Sequence, residues 1–380
     1  GGIALGYSYA IVSALYHPHT GGVENFTRHL AHELVLQGNT ATVITSRLSE
    51  DEPEVEEQDD GVRVYRLPSR VLLGGRLPLV RKNRRYRELF SELAGLPFDR
   101  VLVNTRFYPL SIEGLRLARR LGAEAVVLDH GSAYLSLGTP CIDACIRGYE
   151  HAMTAKARSF HPVFAGISRK SCAWLATFGI RTAHVIPNAI DAHKFRNCAS
   201  HRDFRAEFSI GAETKLIAFV GRLAPEKVAE QLADAAALLG DGYAFLFAGE
   251  GHLRRSIEKK GLSNVVLLGN VSRGDVSALL SQSDALCLPT RSEGFCTALL
   301  EARAWNLPCV VTDVGGVDEI FGNGSPAAFI LASTSPADIA EKLDEAAHAS
   351  APIPSSMHET RCSWRDTVTG VERAFACSPE

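Results

Sequence analysis

The sequence predicts an α/β protein built from two doubly wound, Rossmann-like domains. Three observations predict this fold class. Short β-branched runs alternate with helical patterns, and the whole series of alternations appears twice along the chain. Such alternation is typical of a parallel sheet with helices on both faces. The length of 380 residues also exceeds one ordinary core and fits two domains of roughly 150–200 residues.

The first series covers the amino-terminal half of the chain. After a predicted strand at 9–15, residues 23–38 have apolar side chains at helical spacing, and Gly38 stands where a helix stop is expected. The strands predicted to follow are 40–45, 62–67, 100–104, 125–129, 162–168 and 183–187.

The second series begins after residues 187–195, which we interpret as a linker. Ligands of doubly wound sheets bind at the carboxyl ends of the strands. We therefore expect two domains that face each other and a ligand that touches loops from both. The strands predicted in this half are 215–221, 243–249, 265–269, 285–289 and 308–313, with a helix at 230–239.

Composition excludes several classes of protein. The net charge of −3 gives no global basic field, which argues against a nucleic-acid partner. No apolar run reaches about 18 residues, so the sequence predicts no membrane-spanning helix. The amino terminus lacks the basic region of a signal peptide, and we expect a cytoplasmic protein.

The nine cysteines lack any CxxC pair, which indicates free thiols in a reducing compartment. Cys141 and Cys145 lie four residues apart and could share a helix face. Because no nearby Cys or His pair completes a zinc site, we interpret them as core thiols. The sequence predicts no metal centre.

The stretch HPHTGGVEN (17–25) places Gly21 and Gly22 directly before the first predicted helix. Paired glycines let backbone N–H groups approach an anion closely, and a helix start adds partial positive charge. The alternative interpretation is an ordinary structural turn.

The stretch FVGRLAPEK (219–227) follows a predicted strand and has two cations, Arg222 and Lys227, on one loop. Two such cations suit a diphosphate, since arginine binds oxygens as a fork and lysine acts as a point charge. The alternative interpretation is a solvated loop with ordinary surface charges.

The stretch EGFCTALLE (293–301) joins a predicted strand to a helix that begins near Thr297. Carboxylates accept hydrogen bonds from hydroxyls, so Glu293 and Glu301 could bind two sugars at once. The two leucines between them would pack the helix against its sheet. The alternative interpretation is a helix-capping carboxylate and a surface glutamate.

Together with the segment VIPNAID, the segment GISRKSCAWL and a late Ser-Trp pair, these motifs make nearly the whole chain resemble a family 4 glycosyltransferase of the GT-B type. EGFCTALLE matches the E-x7-E motif of that family. The resemblance implies two facing Rossmann-like domains and a last helix that crosses back to the first domain. The implied boundaries are 1–187 for an acceptor-binding domain, 188–361 for a nucleotide-sugar-binding domain and 362–380 for the crossing helix.

The resemblance implies a role for each motif in the second domain. Arg222 and Lys227 would bind the diphosphate of the donor and stabilise the leaving nucleotide. Glu301 would accept hydrogen bonds from the ribose, and Glu293 would face the donor hexose. The backbone amides of Gly294, Phe295, Cys296 and Thr297 would bind sugar or phosphate.

In the first domain, the resemblance implies that Gly21 and Gly22 approach the diphosphate. His130, which follows a predicted strand in VLDHGS, matches the family histidine near the anomeric carbon. Two positions depart from the family pattern, because Val228 and Cys296 stand where the family often has glycine. Both departures concern the geometry of their loops.

The resemblance implies transfer of a hexose from a UDP- or GDP-linked donor with retention of configuration and without a metal ion. The acceptor would be lipid-linked, a polysaccharide or another glycoconjugate. Alternatives are an epimerase or a sucrose-type synthase of related fold, or a catalytically silent protein that binds a nucleotide sugar or a partner transferase. A nicotinamide-dependent oxidoreductase is disfavoured because no G-x-G-x-x-G follows the first strand.

The basic segment 76–89 has two open interpretations. Its six cations alternate with apolar residues and could contact an anionic membrane surface, as first domains of this family often do. It could equally be a solvated helix that pairs with the acidic run at 50–60. The cations are Arg76, Arg81, Lys82, Arg84, Arg85 and Arg87.

Overall fold

The chain folds into two compact α/β units in the computed structural model. One unit contains the residues up to Asn188 together with those from Trp364 onward, and the other contains Ala189–Ser363. The structure describes residues 6–19, 21–72, 77–136, 139–322, 325–349 and 362–377.

The first unit is built around one twisted sheet with the strand order β3-β4-β2-β1-β6-β7-β8, and β5 pairs with β4. The strands from β4 to β8 along this order are parallel, whereas β3 and β5 each run antiparallel to β4. The strands are β1 (Ser8–Val12), β2 (Thr40–Arg47), β3 (Val55–Glu57), β4 (Arg63–Leu72), β5 (Leu77–Val80), β6 (Arg100–Asn104), β7 (Glu124–Asp129) and β8 (Val163–Gly166).

The helices of the first unit pack on both faces of this sheet. The central strands β1 and β6 are buried along almost their entire length, which explains their continuous apolar sequences. The helices are α1 (Gly22–Leu36), α2 (Arg84–Leu93), α3 (Pro109–Leu121), α4 (Pro140–Arg158), α5 (Arg169–Leu175) and the carboxy-terminal helix α14 (Trp364–Phe375).

The second unit contains a parallel sheet with the order β11-β10-β9-β12-β13-β14. Its strands are β9 (Lys215–Val220), β10 (Tyr243–Ala248), β11 (Val265–Gly269), β12 (Ala285–Leu288), β13 (Cys309–Val311) and β14 (Ala328–Ile330). Its helices are α6 (Ala192–Asn197), α7 (Phe204–Glu207), α8 (Ala229–Leu239), α9 (Arg254–Glu258), α10 (Arg273–Gln282), α11 (Thr297–Ala304), α12 (Val317–Phe321) and α13 (Pro336–Ala347).

The predicted fold class, two doubly wound α/β domains, is confirmed. The boundary residues differ slightly from the sequence interpretation, because Cys362 and Ser363 belong to the second unit. The carbonyl of Cys362 accepts a hydrogen bond of 3.2 Å from the backbone N–H of Ile190, which holds it to that unit. Helix α14 begins only after this contact, at Trp364.

Two predictions about local structure were wrong. Residues 183–187 form no strand, because Val185 makes only an isolated bridge to Gly166. Cys141 and Cys145 are exposed on helix α4 and are not core thiols. The short strands β3, β5 and β14 were not predicted, since runs of three or four residues carry too little pattern.

The basic segment forms β5 and the start of α2, while its residue Arg76 lies outside the described part of the chain. Lys82 pairs with Glu113 at 2.9 Å, and Arg85 pairs with Glu54 of the acidic run at 2.7 Å. Arg84 pairs with Glu88 one helical turn later. Much of the positive charge is therefore neutralised within the unit. Among the described residues, no helix is long and apolar enough to cross a bilayer.

Candidate active site

Both sheets change winding direction at one point. Most of the predicted site residues follow the strands at these points, whereas His130 follows β7, one strand further along the first sheet. In the second sheet β9 lies between β10 and β12, so the loops after β9 and β12 leave neighbouring strand ends in opposite directions. In the first sheet the corresponding strands are β1 and β6. Such switch points form crevices where ligands bind in doubly wound folds.

The loop after β9 contains Arg222 and Lys227. It is held to the loop after β10 by a hydrogen bond of 2.9 Å from the Leu223 N–H to the Glu250 carbonyl. Arg222 is 67% exposed and pairs with Glu226 at 2.9 Å. Its guanidinium is thus at the surface of the unit, where a ligand can reach it.

Lys227 contacts Glu293 directly, through Nζ and Oε2. Both side chains are largely buried, with 14% and 23% of their surfaces exposed. Burial, the largest single cause, lowers the pKa of the Lys227 ammonium, but the charge of Glu293, the Cys296 side chain and the hydrogen bond to Glu293 together raise it above the ordinary value. Lys227 is therefore a fixed cation at neutral pH.

Val228 follows Lys227 in a left-handed backbone conformation, with φ 58° and ψ 30°. This conformation is unfavourable for a β-branched residue and explains why glycine is common at this position in the family. The Val228 side chain is fully buried. Its packing holds the turn that presents Lys227.

The loop after β12 leads from Glu293 into helix α11. The N-cap residue, Cys296, makes no capping hydrogen bond through its side chain, so this helix start has no side-chain cap. Gly315 approaches so closely that a Cβ there would overlap the carbonyl oxygens of Glu293 and Gly294. Its N–H also donates to the Glu293 carbonyl at 3.2 Å.

Helix α11 begins at Thr297 as predicted, and Leu299 and Leu300 are buried. The helix packs mainly against the neighbouring helices α6, α10 and α12. Glu301 points away from these leucines. Its carboxylate has no hydrogen bond or ion pair with any residue that the structure describes. Burial raises the pKa of Glu301 to about 7, opposed only by the more distant charge of Arg273. A carboxylate this poorly solvated is suited to receive hydroxyl hydrogen bonds.

The glycine loop of the first unit ends in the uncapped start of helix α1. Gly21 is the N-cap, in extended conformation and without a side-chain cap. A Cβ at Gly21 would overlap the Glu24 carboxylate, which folds back over the helix start. Gly22 is exposed and has open space around it. The backbone at Gly22 is therefore accessible, and an anion could bind at the helix start once the Glu24 carboxylate moves away.

His130 follows β7, and its Nε2 lies 2.8 Å from Oδ1 of Asn104 at the end of β6. Burial lowers the pKa of His130 to about 3, so the ring is neutral at physiological pH. Its ring packs edge-on against Phe26 of α1, with 4.9 Å between centroids. Phe26 in turn contacts Trp364 of α14 at 5.8 Å.

The sequence interpretation missed the residues that support His130. Asn104 is a polar residue at the end of a predicted strand, and that position is the signal that could have found it. Phe26 carries no such signal, because an aromatic residue on a helix normally indicates only a core position. Trp364 belongs to the late Ser-Trp pair of the resemblance, but nothing in that pair relates it to His130.

A buried ion-pair triad lies directly behind His130. Arg106 contacts Asp129 at 2.7 Å and Glu150 at 2.6 Å, and all three side chains are at most 1% exposed. Oε1 of Glu150 also accepts a hydrogen bond of 2.9 Å from the N–H of Leu135. The triad thereby connects the residue before His130 to the loop after it.

Two family models match the chain in consecutive segments. The model described as Glycosyltransferase Family 4 matches residues 20–194, and the one described as Glycosyl transferases group 1 matches residues 200–361. Together the two segments cover most of both units.

Curated relatives include a GDP-mannose-dependent alpha-mannosyltransferase from Mycobacterium tuberculosis, 27% identical over 322 residues, which cover 82% of this chain and 80% of the relative. A human phosphatidylinositol N-acetylglucosaminyltransferase subunit is 24% identical, with coverage of 97% of this chain and 76% of the relative. An Escherichia coli UDP-Gal:alpha-D-GlcNAc-diphosphoundecaprenol alpha-1,3-galactosyltransferase is 27% identical, with 70% of each chain covered.

Solved structures of similar fold include Anabaena HepE in complex with UDP, with a TM-score of 0.72, 16% identity and coverage of 97% of this chain and 99% of that one. A sucrose-phosphate synthase from Thermosynechococcus elongatus has a TM-score of 0.65, 18% identity and coverage of 97% and 95%. The fold, the two consecutive family matches and the relatives agree: the chain belongs to glycosyltransferase family 4 and has the GT-B fold.

Proposed function

We propose that this protein is a retaining hexosyltransferase that uses a UDP- or GDP-linked sugar and needs no metal ion. The observation that carries the proposal is the cluster in the second unit. A fixed cation, the start of helix α11 and the Glu301 carboxylate lie around one switch point of the sheet. The pKa of Glu301 is raised, and its carboxylate has no partner among the described residues. These features match the diphosphate, the sugar and the ribose of a nucleotide sugar.

In this proposal Arg222 and Lys227 bind the donor diphosphate. Breaking the bond between the anomeric carbon and the phosphate oxygen leaves negative charge on the diphosphate. Lys227 remains charged throughout the physiological pH range, and Arg222 always is. Fixed cations stabilise such charge without reorganisation, which is the usual main contribution to catalysis. They could therefore replace a divalent ion.

Glu301 would accept hydrogen bonds from the ribose hydroxyls, and Glu293 would face the hexose while keeping Lys227 in place. The amides of residues 294–297 would bind sugar or phosphate oxygens at the helix start. In the first unit, the exposed backbone at Gly22 supports a role in binding an anion, and the position of His130 after β7 supports a contact with a sugar hydroxyl.

The acceptor hydroxyl would attack from the face that the diphosphate leaves, which retains the configuration. A new bond forms between the acceptor oxygen and the anomeric carbon as the bond to phosphate breaks. The acceptor proton passes to the departing phosphate oxygen. The names of two relatives specify an alpha-linked product, which supports retention for α-linked donors.

The names of two relatives refer to lipid-linked acceptors, a phosphatidylinositol and a diphosphoundecaprenol. We propose a lipid-linked or glycan acceptor here as well, in the cytoplasm and at the inner face of a membrane. Within the described part of the basic segment, Arg81 and Arg87 have no ion pair, which supports membrane contact. The exposed Val71 and Leu72 of β4, the strand that pairs with β5, add apolar surface beside the segment. Flotation with anionic and neutral liposomes tests membrane contact. Equal binding to both kinds of liposome, or binding to neither, would contradict it.

A transferase assay tests the function directly. The protein is incubated with radiolabelled UDP-glucose, UDP-galactose, UDP-N-acetylglucosamine and GDP-mannose, with lipid extracts and glycans as acceptors, in EDTA. We expect one donor to yield a labelled product whose anomeric coupling shows the α configuration. A β-linked product, or a strict need for a divalent ion, would overturn the mechanism. The silent alternative predicts nucleotide binding without any product, and the names of the relatives disfavour it.

A further inference from the structure

A chain of hydrogen bonds connects His130 to the backbone of helix α1. Nε2 of His130 lies 2.8 Å from Oδ1 of Asn104. Nδ2 of Asn104 donates to the Thr27 hydroxyl at 2.9 Å, and that hydroxyl donates to the Val23 carbonyl at 2.7 Å. Thr27 and Asn104 are at most 1% exposed, so water cannot easily replace these partners.

These three hydrogen bonds determine which atom of each side chain carries the shared proton. The Val23 carbonyl can only accept, so the Thr27 hydroxyl must use its single proton there. The Thr27 oxygen must then accept from Asn104, and only the Nδ2 group of that amide can donate. The amide oxygen of Asn104 consequently faces His130. Since that oxygen can only accept, Nε2 of His130 must be protonated.

We propose that Asn104 and Thr27 are positioning residues that hold the His130 proton on Nε2 and leave Nδ1 as a hydrogen-bond acceptor for a substrate hydroxyl. Within the described residues Nδ1 has no hydrogen-bond partner. The packing of Phe26 against the ring fixes its orientation as well. The inference rests on the proposed function, because it assigns the substrate contact of a proposed site residue.

The assignment excludes one role for His130. A neutral imidazole with its proton committed to Asn104 cannot donate a proton to a leaving group. It can only orient a hydroxyl that donates to Nδ1. His130 thus selects the position of the sugar or acceptor and is not an acid catalyst.

Nitrogen NMR of the resting, ¹⁵N-histidine-labelled protein tests the tautomer. The protein has 13 histidines, and the His130 signals are identified by comparison with His130→Gln. We expect a protonated, pyrrole-type Nε2 and an unprotonated, pyridine-type Nδ1 at pH 7. A protonated Nδ1, or shifts averaged between both tautomers, would overturn the proposal.

Substitutions at Thr27 test the positioning role. Thr27→Val keeps the shape but removes the hydroxyl, which frees the Asn104 amide to rotate. We expect a second His130 tautomer in its spectrum and an approximately tenfold loss of turnover, about the effect of losing one hydrogen bond to the substrate. Thr27→Ser keeps the hydroxyl and should show the single His130 tautomer and the turnover of the wild type. A single unchanged tautomer with unchanged turnover in Thr27→Val would overturn the role of Thr27.

The two readouts separate this inference from the proposed function. The spectrum is measured on the resting protein and needs no substrate. A protein that is inactive with every donor would overturn the proposed function. The spectrum of the wild type would still test the His130 tautomer in that case.

Discussion

Nζ of Lys227 lies against the carboxylate of Glu293, although the two residues belong to loops that follow different strands. Each loop is held by backbone contacts of its own, from Leu223 to Glu250 and from Gly315 to Glu293. The contact therefore reflects the sheet topology, which places β9 beside β12. It gives the second unit a cation that is preformed before any ligand binds.

Removal of either cation should abolish most of the activity. We expect Lys227→Ala and Arg222→Ala each to lower kcat by roughly 10²–10³-fold, the usual effect of losing one preorganised charge-stabilising group. Initial rates at saturating donor measure this. Lys259→Ala removes an exposed cation of the same unit at the end of α9 and should keep full activity. Near-normal turnover in both site variants would contradict the roles given to these cations.

Nucleotide binding should strengthen as pH rises through the pKa of Glu301, about 7. Only the ionised carboxylate can accept hydrogen bonds from both ribose hydroxyls, and below this pKa it is protonated. Calorimetric titration between pH 5.5 and 8.5 measures the dependence. Glu301→Gln should bind weakly at every pH and lack the transition. A wild-type affinity that is flat over this range would contradict the role of Glu301.

The same carboxyl should destabilise the fold at high pH. Burial raises its pKa from 4.5 to about 7, so the folded state binds the proton more tightly than the unfolded state. Stability is therefore greatest below about pH 4.5 and decreases as pH rises towards 7. We expect Glu301→Gln to increase the free energy of unfolding at pH 8 by roughly 1–3 kcal/mol, at about 1.4 kcal/mol per pKa unit. Denaturant unfolding should show a much larger gain at pH 8 than at pH 5.

At position 228, a glycine variant should be more stable than an alanine variant, which reverses their usual order. Both substitutions remove the buried side chain, but only glycine relieves the left-handed backbone at φ 58°. We expect Val228→Gly to be more stable than Val228→Ala by about 1 kcal/mol, although glycine is normally the less stable of the two in and near helices. Thermal unfolding of the pair measures the difference. An alanine variant as stable as the glycine variant would show that the position carries no strain.

The stability of the first unit should depend on Arg106, the arginine of the buried triad. Arg106→Met leaves Asp129 and Glu150 buried without their cation, and burial already raises the pKa of both carboxyls. Breaking a buried ion pair in this way costs about 3–5 kcal/mol. Denaturant unfolding at pH 7 measures the loss. The loss of unfolding free energy should be smaller at pH 5, because the two carboxyls of the variant take up protons there. A loss that does not depend on pH would contradict this explanation.

Sequence patterns predicted the two sheets because parallel strands that are buried on both faces consist of continuous apolar runs. The same patterns missed β3 and β14, whose three residues each are too few to show a period. The prediction of a strand at 183–187 failed because apolar residues there pack without forming a ladder. Only Val185 of that stretch makes a bridge.

The motif residues of the second unit could be predicted because their spacing along the chain matches a family pattern. Their contacts could not, since Lys227 and Glu293 are 66 residues apart. They meet through the pairing of β9 with β12 and through a backbone hydrogen bond of 2.9 Å from the Arg291 N–H to the Glu226 carbonyl. The same limit applies to Asn104 and Thr27. Nothing in their local sequence relates them to His130, and the relation arises from the order of the strands in the first sheet.

Calorimetric titration with UDP, GDP and ADP in EDTA, on the wild type and on Glu301→Ala, tests the central claim most directly. We predict tight binding of UDP or GDP without a metal ion and a clear loss of affinity in the variant. Binding of no nucleotide by a folded wild-type protein would contradict the assignment of the second unit as a donor site. So would binding that Glu301→Ala leaves unchanged.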